Sequence, residues 1–205
     1  MNKVLKYSIL VVVLGLALYN SVNIEPLDQI KKSKSDLVFN AASYATDFMS
    51  NKIETLPAIN ASNFLGNISD DLENYTKQKG KKLGISDEYS FIIEGEARIT
   101  EIEEEYVTVL LEENQELRIS TEFIFGNAIR DGSGMANIDD YQNTMDFNSI
   151  SVELNNIVRE TVVPSFKKKA KIGDILYFKG AVTIDIADTQ INGIKVIPMI
   201  IKFSD

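Results

Sequence analysis

The sequence predicts an α+β fold. An N-terminal signal or anchor helix and a helical segment come first, followed by a small, five-stranded, partly open β-barrel with a helical insertion after its third strand. Three observations predict it. Apolar residues recur at helical spacing between Val38 and Tyr75. From Glu88 the apolar period drops to two. The alternating runs are then interrupted over residues 126–170, where helical spacing returns.

Lys3 and Lys6 precede an uncharged apolar stretch over residues 7–19, and no acidic residue occurs before Glu25. A basic flank followed by an apolar run is the order of a signal peptide. Residues 8–24 approach the lower limit of about 17 residues for crossing a bilayer. Leu18, Tyr19, Asn20 and Ser21 offer no pair of small residues for cleavage. Residues 1–24 therefore read as an uncleaved signal-anchor in the inner membrane, with the positive flank inside and the rest of the chain in the periplasm. The alternative is a cleaved signal and a free periplasmic protein. Residues 25–36 are polar, contain Pro26 and read as a linker. Residues 37–205 read as a single extracytoplasmic domain.

Asp36 can cap a helix in which Val38, Ala41, Ala42, Ala45, Phe48, Met49 and Ile53 form a stripe, limited by Pro57. A second helix follows Ser62, with Phe64, Ile68, Leu72 and Tyr75 on one face and Gly80 and Gly84 at its end. Helical character thus covers residues 37–84, and both stripes face a core. Strands follow over residues 88–99, 106–111 and 116–125, with a turn at Glu113 and Asn114. Two more occupy residues 174–185 and 193–203, joined by a turn at Asn192 and Gly193. Five strands with an insertion after the third give an OB-like barrel over residues 88–205. Gly95 and Gly180 lie inside strands, where a small barrel bends tightly. Lys171 to Asp174 opens the fourth strand.

Composition removes several kinds of chemistry. Cysteine, histidine and tryptophan are all absent. There is no thiol nucleophile, no Ser-His-Asp triad and no Cys/His zinc site, and the chain has no cysteine to carry a lipid. A net charge of −9 repels a phosphate backbone, so nucleic acid is not an expected partner. The acidic runs at Glu101, Glu103, Glu104 and Glu105 and at Glu112, Glu113 and Glu116 read as solvated turns, as does the basic run Lys167, Lys168, Lys169 and Lys171. Gly132-Ser133-Gly134 is not followed by Gly-Lys-Ser/Thr and is no P-loop. No cofactor or metal is expected.

The insertion is the most distinctive stretch. It reads Gly126-Asn127-Ala128-Ile129-Arg130-Asp131, then a Gly/Ser loop. Ile138 to Phe147 follows, with Tyr141 and Asn143, and then Ile150 to Leu154-Asn155. This order resembles a family of predicted periplasmic lipoproteins, a domain of unknown function, whose members carry a similar Gly-x-Ala-x-Arg-Asp run, an aromatic-Asn-Gln segment and a Leu-Asn pair. The resemblance extends over nearly the whole chain. It implies a partly open barrel, no established activity, and genes often found beside ribose-type sugar ABC importers. The chain departs from the family in lacking the lipobox cysteine of some members and in its Gly- and Ser-rich 131–139 loop.

Gly126 permits a sharp exit from the third strand. Arg130 can hold a carboxylate, phosphate or hydroxyl bidentately. Pairing within the fold, with Asp131, Asp139 or a backbone carbonyl, is the expected role of Arg130, although adjacent residues pair poorly on a single strand. Asn127, Asn143 and Asn155 complete the candidate binding set, with Asn143 and Asn155 also able to satisfy buried backbone groups. Asp139 and Asp140, or Asp185 and Asp188, could supply carboxylates for acid–base work. Two functional classes follow. One is a non-catalytic, membrane-anchored extracytoplasmic binding or accessory module, partnered by a sugar-binding protein or an ABC importer. The other is a carboxylate-only hydrolase of the glycosidase kind.

Overall fold

The structure, a computed structural model, describes Leu5, Tyr7, residues 39–188 and residues 193–204. The signal-anchor and linker expected over residues 1–36 lie outside the described residues except for Leu5 and Tyr7. Among the described residues, no helix is long and apolar enough to cross a membrane. One compact unit spans Asn40–Asp205.

Helix α1, Ala41–Asp47, is capped by Asn40, whose side chain accepts the Ser43 N–H. The cap is therefore Asn40 and not Asp36. The helix runs on into a π-turn, Phe48–Lys52, where Ile53 N–H reaches back to the Phe48 carbonyl. Its buried stripe is Ala45, Phe48 and Ile53, and Ala42 faces solvent. A short strand β1, Ile59–Asn60, follows. Asn60, not Ser62, then caps α2, Ala61–Asp70, by accepting the Asn63 N–H. The second expected helix is two. Asp71 ends α2 and caps α3, Leu72–Lys79, by accepting the Asn74 N–H.

The remaining strands are β2 (Glu88–Ile102), β3 (Tyr106–Leu110), β4 (Glu116–Ser120), β5 (Ile175–Asp185) and β6 (Lys195–Phe203). Their order is β1-β2-β3-β4-β6-β5, and β2 also pairs with β5. The barrel is therefore closed, where the sequence suggested a partly open one. Closure comes from one long antiparallel ladder, Glu88↔Asp185 to Arg98↔Ile175. β4 and β6 run parallel, pairing Arg118↔Lys195 and Ile119↔Val196. β1 adds a parallel edge to β2 at Ile59↔Ile93. At two residues it is too short to leave an alternation signal.

β4 ends at Ser120, short of the expected Phe125. The Thr121 and Glu122 N–H groups both turn to the Glu105 carbonyl, and Phe123 takes a φ of +52°. Gly180 has the role expected of it. A Cβ there would sit 2.4 Å from Val196 Cγ1, and the β5–β6 register shifts between Lys179 and Gly180.

Two apolar layers result. The barrel interior holds Phe91, Ile93, Val109, Leu117, Phe178 and Val196, joined by Phe64 and Ile68 of α2. The insertion supplies the second layer. It contains α4 (Ala128–Ser133), α5 (Thr144–Ile157), a π-turn (Val158–Val162) and α6 (Val163–Lys169). Phe147, Ile150, Leu154 and Val158 are buried, α5 packs against α1, and α4 packs on β2 and β5.

Lys179 on β5 clips the tail of α1 to the barrel. The side chain is 4% exposed. Its Nζ donates to the carbonyls of Ile53, Glu54 and Leu56 at 3.5, 3.2 and 2.9 Å and lies 3.0 Å from Glu94 Oε2. The Tyr177 hydroxyl donates to the same carboxylate oxygen at 2.8 Å. Burial raises the Glu94 pKa, but these two donors outweigh it and leave the carboxyl below its ordinary value. Burial, then the hydrogen bond to Glu94, raises the Tyr177 phenol.

Candidate functional site

The chain leaves the barrel after β4 through a strained segment. Phe123 has φ +52° and Gly126 φ +88°. The left-handed region is open to glycine, whereas it costs a residue such as phenylalanine about 1–2 kcal/mol. Phe123 and Phe125 are 66% and 69% exposed, while Ile124 between them is buried. Arg159 holds the segment from beneath by donating to the Ile124 carbonyl. Asn155, buried on α5, donates from Nδ2 to the Gly126 carbonyl at 2.8 Å. α4 then lies flat on β2. A Cβ on Gly132 would meet Ile92 Cδ1 and the Phe91 carbonyl at 3.1 Å, so glycine sets how closely the helix approaches.

Beside this exit is a cleft of about 580 Å³. One wall is the exit itself, with Phe123, Phe125, Gly126, Asn127 and Asp131. The other comes from the strand ends and the loop before β2, with Glu88, Asp185, Asp188 and Lys195, and with Lys81 and Leu83. Lys81 donates from Nζ to the Ser133 carbonyl at 2.7 Å, and burial lowers its pKa from the ordinary lysine value.

The structure divides the sequence-derived set. Gly126, Asn127 and Asp131 line the cleft. Arg130 lies behind them, 2% exposed. Its Nε donates to Asp131 Oδ1 at 2.7 Å, and its Nη1 to the Phe147 carbonyl at 3.3 Å and Asn148 Oδ1 at 3.1 Å. Its guanidinium stacks on the Phe147 ring, 3.8 Å from the centroid. Although neighbours on a single strand would pair poorly, Asp131 is thus one of the partners of Arg130. They lie on a helix rather than a strand, and the turn brings the carboxylate around to Nε. Arg130 therefore orients the cleft carboxylate and ties α4 to α5.

Asn155 supports the exit from below. Asn143 lies outside the lining and caps α5, accepting the Asp146 N–H at 2.8 Å and donating to Asp146 Oδ2 at 2.9 Å. Asp139 and Asp140 are exposed in a short 3₁₀ turn, Ile138–Asp140, away from the lining. Asp185 and Asp188 are in it. Near Arg130, Tyr44 donates to the Met135 carbonyl at 3.2 Å. Burial first, then Tyr44, pushes the Tyr141 phenol up to about 12.

Phe123 and Phe125 were not singled out from the sequence. Continuing the alternation of Leu117 and Ile119 would bury both and expose Ile124. The irregularity at residues 121–123 slips the phase by one and reverses the faces. The signal available was three consecutive apolar residues directly before a glycine.

A family model described as "Predicted periplasmic lipoprotein (DUF2291)" matches residues 11–202. No curated relative matches the chain. Among solved structures, an OB-fold protein of Thermotoga maritima is similar at a TM-score of 0.72 and 24% identity, over 82% of this chain and 100% of that one. That likeness establishes the OB fold.

Proposed function

The chain belongs to the DUF2291 family of predicted periplasmic lipoproteins, and from that premise we propose that it is a non-catalytic extracytoplasmic binding or accessory module held at the membrane by its N-terminal segment. Family membership supports the extracytoplasmic location. The chain contains no cysteine, so a thioether-linked lipid has no attachment point here. The basic flank and apolar run of residues 1–24 support an inner-membrane anchor in its place. The resemblance to proteins encoded beside sugar importers supports a link to sugar ABC import, with a sugar-binding protein or the importer itself as partner.

The observation that carries this reading is the pair of exposed phenylalanines at the mouth of the cleft. Phe123 is held outward on left-handed backbone, and with Phe125 it leaves a large apolar surface in water. Covering them on a partner recovers the cost of the exposed apolar surface, and aromatic side chains of this kind dominate interface energetics. The mixed wall of Glu88, Asp185, Asp188, Lys81 and Lys195 offers polar contacts around them.

The test is titration of the domain with the purified sugar-binding protein of the importer. Binding that Phe125→Ser abolishes, with the unfolding midpoint unchanged, is the expected result. The same affinity in the variant would sink the reading. The carboxylates Glu88, Asp131 and Asp185 in the cleft support a second reading, a carboxylate-only hydrolase. Hydrolysis of an aryl glycoside that Asp185→Asn eliminates would replace binding with catalysis.

A further inference from the structure

The basic run Lys167, Lys168, Lys169 and Lys171 has no part in the cleft. α6 ends at Lys169, and the turn at 171–174 projects beyond it. Gly173 takes φ +94°, and Asp174, which also lines the groove beside α6, accepts the Lys171 N–H at 3.0 Å. Ile172 is 69% exposed and Ile175 40%. Arg98 reaches the same turn from β2, its Nη1 donating to the Gly173 carbonyl at 3.1 Å. Between α6 and the end of β6 lies a groove of about 710 Å³, lined by exposed Lys169, Lys171 and Lys202 and by apolar Phe166, Met199 and Phe203.

The neighbouring acids leave most of this charge uncompensated. Lys202 pairs with Glu54 at 2.8 Å and Lys167 faces Glu122 at 3.9 Å. Among the described residues, Lys168, Lys169 and Lys171 make no ion pair. A helix C-terminus carries only about half a negative charge, so three lysines exceed what α6 needs. In a chain of net charge −9, a concentration of unpaired cations around an exposed apolar tip is the reverse of the general field.

We infer that this end of the domain rests on an anionic lipid surface. The lysine ammoniums meet headgroup phosphates, the groove seats a headgroup, and Ile172 enters the interfacial layer. The apolar tip distinguishes this from a site for a free anion, which would give Ile172 nothing to bury against. The inference deepens the membrane-associated reading and rests on it for biological setting, but the surface itself acts without the N-terminal segment.

Residues 37–205 contain both apolar layers, and the similar Thermotoga chain is matched over its entire length by 82% of this one. That piece is sedimented with phosphatidylcholine vesicles and with vesicles containing phosphatidylglycerol. Binding to the anionic vesicles alone, weakening with salt, is expected. Replacing Lys168, Lys169 and Lys171 together by glutamine should weaken it about a hundredfold, roughly fivefold per lysine or ~1 kcal/mol each. Ile172→Asp should weaken it several-fold.

Equal partition to both vesicles, or a triple variant that binds like the wild type, overturns the inference. So does displacement by millimolar inorganic phosphate. Amine labelling of the full chain in the same vesicles gives a second readout. Protection of Lys168, Lys169 and Lys171 in anionic membranes supports the surface, and equal labelling in both lipids refutes it. Flotation of the full chain with vesicles reports separately on the N-terminal anchor.

Discussion

Arg130 shows how far residue-scale reasoning reaches. A buried guanidinium must be paired, and that demand was legible from the sequence, whereas its partners depended on α5 folding across it. Arg130→Ala removes hydrogen bonds to Asp131, Phe147 and Asn148 and leaves Asp131 without its cation. Denaturant unfolding should show a loss well above 1 kcal/mol, approaching the roughly 3–5 kcal/mol of a broken buried pair. Lys179 gave no such signal, because one lysine in an apolar strand is indistinguishable from a snorkelling one.

Its partner Glu94 sets a pH dependence. A carboxyl depressed in the fold stabilises it at pH above the ordinary value of 4.5, and that contribution is lost as pH falls through the lower folded value. The unfolding midpoint should drop on acidification below about pH 4.5. Glu94→Gln should lower stability at neutral pH and flatten that acid limb, as read by thermal melts across the pH range.

At the scale of elements, the five long strands were readable, and β1 and the strand ends were not. Period-two alternation marks β2 through β6 because one face of each packs into the barrel. The ends follow contacts that no local pattern encodes, such as the Glu105 carbonyl that stops β4. Caps were misread for the same reason. Ser62 has the right chemistry, but the turn out of β1 puts Asn60 at the cap. Asn60→Ala should therefore destabilise by about 1 kcal/mol and Ser62→Ala by much less, measured by urea unfolding. At the exit from β4, Gly126→Ala meets no neighbouring atom within 4 Å. Its cost is backbone strain alone, about 1–2 kcal/mol.

For the whole molecule, the count of strands and the place of the insertion predicted the barrel. Closure did not show, because β2 and β5 are separated by about half of the domain's length and no local pattern pairs them. The candidate cleft was half legible. Gly126, Asn127 and Asp131 stand in its wall, and the opposite wall joins residues that no motif connects. The domain boundary expected near residue 37 lies outside the described residues, and one compact unit runs from Asn40. A chain beginning at residue 37 should unfold in one cooperative thermal transition, and loss of that transition would show that the preceding segment is needed for folding.

The Lys179 clip also has a mechanical consequence. Any pull on the chain upstream of Asn40 arrives first at α1, whose tail the Lys179 ammonium grips through the carbonyls of Ile53, Glu54 and Leu56. Lys179 thereby couples the segment ahead of α2 to β5, which is laddered on one side to β2 and on the other to β6. A load on that segment is therefore expected to be shared with the barrel wall, and Lys179→Met should lower the force at which the tail of α1 detaches.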